Sequence, residues 1–95
     1  MFDLAALQPE HFEGLIGQAL PLIDSPFAFT VQAVTRLQSP SPRGQAFSLV
    51  LLAPANTQGG QGIYRLQHPE LGELALFLAP QPPLQNQSCF EAIFN

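Results

Sequence analysis

The feature that most constrains the fold is the alternation of side chains over residues 27–38, "FAFTVQAVTRLQ". Successive side chains of a strand point to opposite faces, so this pattern predicts a half-buried strand. One face holds Phe27, Phe29, Val31, Ala33 and Leu37. Other short strand patterns follow without helical patterns between them. The sheet should therefore be mainly antiparallel.

Five further segments carry strand patterns. They are residues 19–23, 45–53, 63–68, 73–79 and 89–95. Pro21 makes the first an edge strand or a bulged one. The second is apolar on both faces towards its end, which predicts a central strand or one that faces a second layer. The count of five or six strands predicts a small antiparallel β barrel or a tight sandwich.

The only helical pattern lies in residues 3–18, "DLAALQPEHFEGLIGQ". Pro9 and Glu10 suit a first turn, because Pro lacks the N–H that is unpaired there and an acid is favoured by the helix dipole. One apolar stripe follows the spacing of three and four residues: Phe12, Leu15 and Ile16. With Gly17 as C-cap, we expect one short N-terminal helix of about two turns, packed over one end or face of the sheet.

Three segments rich in turn-forming residues predict loops: 39–44, 54–62 and 80–88. The second contains "QGGQG" and runs into a strand pattern, whereas phosphate-binding glycine loops lead into a helix. A structural explanation of these glycines is that the backbone approaches another group closely, or adopts positive φ, where the strand begins. "PELG" at 69–72 predicts a hairpin turn in which Gly72 takes positive φ.

The length of 95 residues predicts one domain, residues 1–95. Only 11% of residues are charged, where about 25% is usual. The chain has no lysine, and its three cations are Arg36, Arg43 and Arg65. Glutamine supplies much of the polarity. A surface of this kind suits self-association or a protein partner, although a general compositional bias explains it equally well.

Several function classes are excluded by these numbers. Nucleic-acid binding needs a basic patch, and a chain of net charge −4 with three scattered arginines does not supply one. The longest apolar runs, at 47–53 and 74–79, are far shorter than the roughly 20 residues of a membrane helix. No signal peptide is expected, and one cysteine, Cys89, cannot form an internal disulfide. These features predict a cytoplasmic protein that binds neither nucleic acid nor membrane.

No constellation of residues predicts catalysis, metal binding or a cofactor. His68 precedes Pro69, where its ring can cap turn N–H groups or pair with an acidic neighbour. A Cys89-based hydrolase using a histidine has no local support, because no nucleophile elbow is present. His11 and Glu13 are two residues apart on the expected helix and point in different directions. We therefore predict no catalytic, metal-binding or cofactor-binding residues and no enzyme activity.

Four stretches carry a family resemblance: "EHFEGLIGQAL", "FSLVLLAP", "QGIYRLQHPELGELALFLAP" and the terminal "CFEAIFN". The chain resembles a family of small bacterial proteins that is classed only as a domain of unknown function. Its members share a QG-x-Y-x-L-x-H hairpin and an aromatic-x-A-x-F-N ending. The resemblance implies neighbours like phage-tail-collar proteins and a role in a tail-like or secreted assembly. It implies no functional residues, since these motifs belong to the fold.

The resulting expectation is a non-enzymatic interaction module: an accessory, adaptor or assembly factor of a larger bacterial complex. Exposed strand edges would serve for partner binding, and 19–23 or 89–95 is the expected edge. The alternative is a small-ligand-binding β barrel with an apolar cavity. Its mouth would be surrounded by the loops 39–44, 54–62 and 80–88.

Overall fold

The computed structural model describes residues 4–38, 45–55, 57 and 59–95. The elements in chain order are a 3-10 turn Leu4–Ala6, helix α1 Glu10–Glu13 and strands β1 Ala19–Pro21, β2 Ala28–Arg36, β3 Phe47–Ala53, β4 Gly62–His68, β5 Gly72–Leu84 and β6 Gln87–Phe94. The six strands form a nearly closed, barrel-shaped antiparallel sheet. The predicted mainly β fold with one short N-terminal helix is confirmed, and the barrel is the architecture observed. Residues 39–44, predicted as a loop, lie outside the described residues.

The strand order is β1-β2-β3-β6-β5-β4, which leaves β1 and β4 to meet across a seam. One isolated bridge joins Leu22 to Leu66 across this seam. The Ile23 N–H donates to the carbonyl of Arg65 at 2.9 Å. This short contact, rather than a full ladder, brings the ends of the sheet together.

Strand β6 lies in the interior of the sheet and not at its edge. It pairs with β3 over seven positions, from Phe47↔Phe94 to Ala53↔Ser88, and with β5 on its other side. The expectation that 89–95 could be the exposed edge is therefore wrong. Strand β1, by contrast, does stand at one end of the strand order.

The predicted loop 80–88 is also wrong, because β5 continues to Leu84 and turns directly into β6. Gln85 and Asn86 both have positive φ, 54° and 61°, as a two-residue type I′ hairpin turn requires. The ladder is irregular between Gln81 and Leu84, where two prolines sit. An irregular register accommodates residues that have no N–H to donate.

A β-bulge changes the inward face of β2 part-way along the strand. The register shifts between Val31, which pairs with Leu51, and Ala33, which pairs with Val50. Beyond the shift, Val34 packs against the core in place of Ala33. The alternation predicted for residues 27–38 is thus correct from Ala28 to Val31 and wrong beyond it, because a bulge adds one residue to one strand; Phe27, before the strand begins, is exposed.

Helix α1 is shorter than expected and ends at Glu13, with Gly14 rather than Gly17 as its C-cap. Phe12 is completely buried, but Ile16, predicted to share its apolar stripe, is 52% exposed because the helix has already ended. Phe12 contacts the rings of Phe47 and His68, with centroids 6.3 and 5.5 Å away. The N-terminal segment therefore plugs one end of the barrel.

Within the described residues, no helix is long and apolar enough to cross a membrane.

Candidate binding site

The end of the barrel opposite α1 contains a cavity of about 290 Å³. Four aromatic residues line it: Phe27, Phe29, Tyr64 and Phe90. The remaining described lining residues are small or aliphatic for the most part: Leu22, Ala28, Ala53, Pro54, Ala55, Thr57 and Gly59. The three alanines leave space that larger side chains would fill. The cavity lies between the turn that joins β1 to β2 and the segment that joins β3 to β4.

Three of the aromatic rings pack against one another and give the cavity a rigid wall. Phe29 meets Phe90 and Tyr64 edge-on, with centroids 5.4 and 5.8 Å away. Tyr64 and Phe90 lie 5.7 Å apart. Phe27 differs from these three, because 51% of its surface is exposed although it was predicted to lie on the buried face of the strand. The cavity therefore has a packed wall and an aromatic side chain at its mouth.

The hydroxyl groups that line the cavity already donate to backbone carbonyls. Tyr64 Oη donates to the Gly60 carbonyl at 2.6 Å, and Thr57 Oγ1 donates to the Pro54 carbonyl at 2.6 Å. None of the described lining residues carries a charge. The site is thus apolar, apart from two hydroxyl groups whose hydrogens are already donated to backbone carbonyls.

Gly59 is required by the close approach of its backbone to Tyr64. A Cβ placed on Gly59 would lie 2.6 Å from Tyr64 Oη, and real Cβ contacts essentially never reach that distance. The glycine loop leads into β4 and not into a helix, as predicted. The prediction that a glycine of this loop permits close backbone approach is therefore confirmed at Gly59.

His68, at the other end of β4, is almost completely buried and has a structural role. Its Nδ1 accepts the backbone N–H groups of Glu70 and Leu71 at 3.0 and 3.1 Å. Since Nδ1 is an acceptor, the hydrogen resides on Nε2, which donates to the His11 carbonyl at 2.8 Å. The ring therefore fastens the β4–β5 turn to α1, and the predicted capping of turn N–H groups is confirmed. Gly72 ends this turn with φ of 80°, as predicted.

The outer face of the barrel carries a row of three exposed apolar side chains, which we call the outer row: Ile63, Phe77 and Ile93. Ile63 of β4 pairs directly with Phe77 of β5. The β5–β6 ladder ends at the pair Ala79–Glu91, two residues before Phe77 on β5 and Ile93 on β6, and both of these side chains are exposed. The three side chains are 64%, 53% and 57% exposed. Ile63 shares its face of β4 with Arg65 and Gln67, so alternation alone marks it as an apolar residue among polar neighbours, whereas its pairing with Phe77 depends on the fold.

Comparison with known families gives one match. A family model described as Domain of unknown function (DUF6916) matches residues 7–94, nearly the whole chain. The chain belongs to this family. No curated protein matches the chain. No solved structure matches it either.

In this DUF6916 member, both arginines within the described residues form ion pairs. Arg65 pairs with Glu73 at 2.8 Å and with Asp24 across the seam at 3.6 Å. Arg36 fastens α1 to β2 through Glu10 and Glu13. The hydrogen bonds from the two guanidinium groups lower the pKa of Glu13 and Glu73. These side chains hold the structure together at two places.

Cys89 lies on β6 and is 6% exposed. Burial, followed by the charge of Glu91, raises the pKa of its thiol. The free thiol is thus kept protonated, which disfavours nucleophilic chemistry. No group of three or more potential metal-ligating His, Cys, Asp or Glu side chains occurs in the part of the chain that the structure describes.

The three loops predicted around a ligand mouth have different outcomes. Residues 54–62 do supply lining residues of the cavity. Residues 39–44 lie outside the described residues, and 80–88 form a hairpin that supplies none of the lining. The turn before β2 and the start of β2 take part instead, through Phe27, Ala28 and Phe29, and nothing in the sequence indicated this.

Proposed function

We propose that this DUF6916 chain is a non-enzymatic interaction module that associates with a second copy of itself through the outer row. The observation that carries the proposal is the pairing of Ile63 with Phe77, with Ile93 on the neighbouring strand β6, each of the three more than half exposed. Single exposed apolar side chains are ordinary, whereas contiguous apolar patches mark interaction surfaces. Covering each of these half-exposed side chains stabilises a contact by roughly 1 kcal/mol.

Few unpaired charges surround the outer row, so little opposes a second copy as the occupant. Arg65 is two residues beyond Ile63 on β4, and Glu91 is two residues before Ile93 on β6. Strands β4 and β6 run in the same direction, so the two charges lie on opposite sides of the row. Arg65 is already paired with Glu73 and Asp24, so the contact that we propose rests on apolar burial of the same patch on both copies, as in a two-fold interface, rather than on charge complementarity.

The larger role that we propose is that of a subunit or assembly factor in a bacterial, tail-like complex. This rests on the family resemblance together with the sparse charge of the chain. We also propose that the family shares the QG-x-Y-x-L-x-H hairpin and the aromatic-x-A-x-F-N ending. In this chain they supply inward residues of the barrel: Tyr64, Leu66, His68, Phe90, Ala92 and Phe94.

Light scattering on a sizing column, repeated over a wide range of protein concentration, tests the association. The wild-type chain should form a dimer or a larger closed oligomer, and Phe77→Asp should convert it to a monomer. Gln67→Asp is the matched control, because Gln67 is exposed on the outer face of β4 but lies four residues from Ile63. The control should retain the wild-type mass.

Three results contradict the proposal. One is a monomer at every concentration, and another is an oligomer that survives Phe77→Asp. The third is an equal loss of mass in Gln67→Asp, which would show that added charge rather than the outer row is responsible. Specific binding of a different protein by a monomeric chain would replace the second copy as occupant.

A second candidate function is the binding of a small ligand in the apolar cavity at the mouth of the barrel. Its volume of about 290 Å³ is close to the lower end of the range for ligand sites. The centre of the barrel is filled by side chains, so the site is at the mouth and not in the interior. An apolar ligand that fills the cavity should raise the Tm of the domain.

A further inference from the structure

We infer that the cavity binds an uncharged aromatic ligand of two fused rings that carries one hydrogen-bond donor, with indole as the simplest example. This inference rests on the ligand-binding function proposed above and names the class of ligand. It concerns residues that the outer row does not share, so it stands or fails independently of self-association.

The size of the ligand follows from the volume of the cavity. An apolar protein cavity of about 150 Å³ accommodates one benzene ring. The present cavity, about 290 Å³, is nearly twice as large and has room for two fused rings. Its wall of Phe29, Tyr64 and Phe90 is held by mutual ring contacts, so it is shaped before a ligand arrives. Such preorganisation reduces the entropy lost on binding.

The hydrogen-bond donor follows from the state of the two hydroxyl groups. A hydroxyl has one hydrogen to donate and lone pairs to accept with. Tyr64 and Thr57 both donate to backbone carbonyls, at 2.6 Å in each case. Their oxygens are left as acceptors, which an N–H or O–H of the ligand can satisfy. A ligand with only acceptors gains no hydrogen bond from these two groups.

The charge of the ligand follows from the lining. None of the described lining residues carries a charge. Carboxylates and phosphates would lose their hydration without gaining a cation or a free hydroxyl hydrogen, which is costly. A cationic ligand would likewise find no carboxylate among these residues. The geometry thus favours a neutral molecule.

Fluorescence titration with indole tests the inference directly, because the chain contains no tryptophan and light that indole absorbs but Tyr64 does not excites the ligand alone. Two probes of the same shape provide the comparison: indene, which has no polar atom, and benzofuran, which has only an acceptor. Isothermal titration calorimetry measures all three. Indole should bind with a Kd below about 1 mM. The other two should bind about five-fold more weakly, as the loss of one hydrogen bond implies.

Three variants locate the site. Ala28→Leu fills the cavity from within, and Ala55→Phe obstructs it from an exposed position that adds no strain to the core. Each should weaken indole binding at least ten-fold. Ala75→Leu, on the outer face of β5, is the matched control and should bind as the wild type does. Tyr64→Phe removes one acceptor and should reduce the preference for indole over indene.

The outcomes separate the ligand class from the ligand-binding function. Equal affinity for indole and indene, both lost in Ala55→Phe, would overturn the donor requirement and leave the binding function standing. Binding of none of the three probes would overturn both. Affinity that is unchanged in Ala28→Leu and Ala55→Phe would place the ligand elsewhere. Tighter binding of indole-3-carboxylate than of indole would overturn the neutral class.

Discussion

Replacement of His68 by leucine should destabilise the domain strongly, because His68 joins two parts of the chain that are far apart in sequence. The ring is 1% exposed and its two nitrogens make three hydrogen bonds to backbone groups. Leucine has a comparable volume but fulfils none of these contacts. The change therefore removes hydrogen bonds without opening a large cavity.

The magnitude follows from the three bonds. A typical hydrogen bond contributes about 0.5–1.5 kcal/mol net, and an unpaired buried group costs more. Glu70 is exposed, so water can replace part of what its N–H loses, whereas the His11 carbonyl faces the buried ring. We expect a loss of about 2–4 kcal/mol. For a domain of this size, that loss lowers the Tm by roughly 10–20 °C.

Equilibrium unfolding in urea, followed by circular dichroism, measures the effect. His68→Asn separates the two roles of the ring, because its Oδ1 occupies the place of Nδ1 and can still accept the N–H groups of the turn. It should recover about 1 kcal/mol relative to leucine. Gln67→Leu controls for the added apolar side chain. A His68→Leu protein within about 0.5 kcal/mol of the wild type, a difference typical of neutral surface changes, would refute the reasoning.

Three further changes have definite expected results. Gly59→Ala should lower the free energy of unfolding by about 1–2 kcal/mol, because the new Cβ displaces the Tyr64 hydroxyl. In a Tyr64→Phe background most of that loss should disappear. Urea unfolding of the wild type, the two single variants and the double variant measures both effects. Acid should weaken the fold through Glu13 and Glu73. Because the folded state lowers the pKa of both carboxyl groups, their stabilising contribution is complete above the ordinary pKa of about 4.3 and is lost as the pH falls through the lower folded values. The free energy of unfolding, measured across this pH range, should fall less steeply in Glu73→Gln than in the wild type. Cys89 should react with a disulfide reagent slowly in the folded protein and at the rate of a free thiol in urea; rapid labelling without denaturant would contradict its burial.

The parts of the fold that could be predicted depend on neighbouring residues. Alternation at period two identified most of the strands, and Pro69 with Gly72 marked the turn between β4 and β5. His68 was correctly expected to cap that turn, since its position relative to the turn is fixed by sequence alone. Local chemistry of this kind does not require knowledge of which strands pair.

Most of the errors in the strands arise because strand pairing and register are non-local properties. The β2 bulge after Val31 depends on how β2 pairs with β3, and nothing in the alternation shows it. The hairpin at Gln85 and Asn86 lacks the glycine that usually identifies such a turn. Because the turn was not recognised, the last strand was placed as a candidate edge, while its pairing with β3 sets it in the middle of the sheet.

The candidate site could not be predicted from the sequence either, because it depends on which strands lie side by side. The cavity exists because alanines from two segments, the start of β2 and the end of β3, meet beneath an aromatic wall, and each alanine alone has no significance. The outer row depends on the register that pairs Ile63 with Phe77 and on the position of β6 beside β5. The sequence did indicate Ile63 as an apolar residue among polar neighbours, which was the only local sign of that surface.

The positions of the ion pairs bear on how the outer row would contact a second copy. Arg36 fastens the plugging helix, and Arg65 reinforces the seam where the barrel is least closed. Opposite charges held in such pairs contribute little to long-range steering of a partner, because their fields largely cancel. Association through the outer row should then depend on apolar contact and shape. It should weaken little with added salt, in contrast to an interface built on charge.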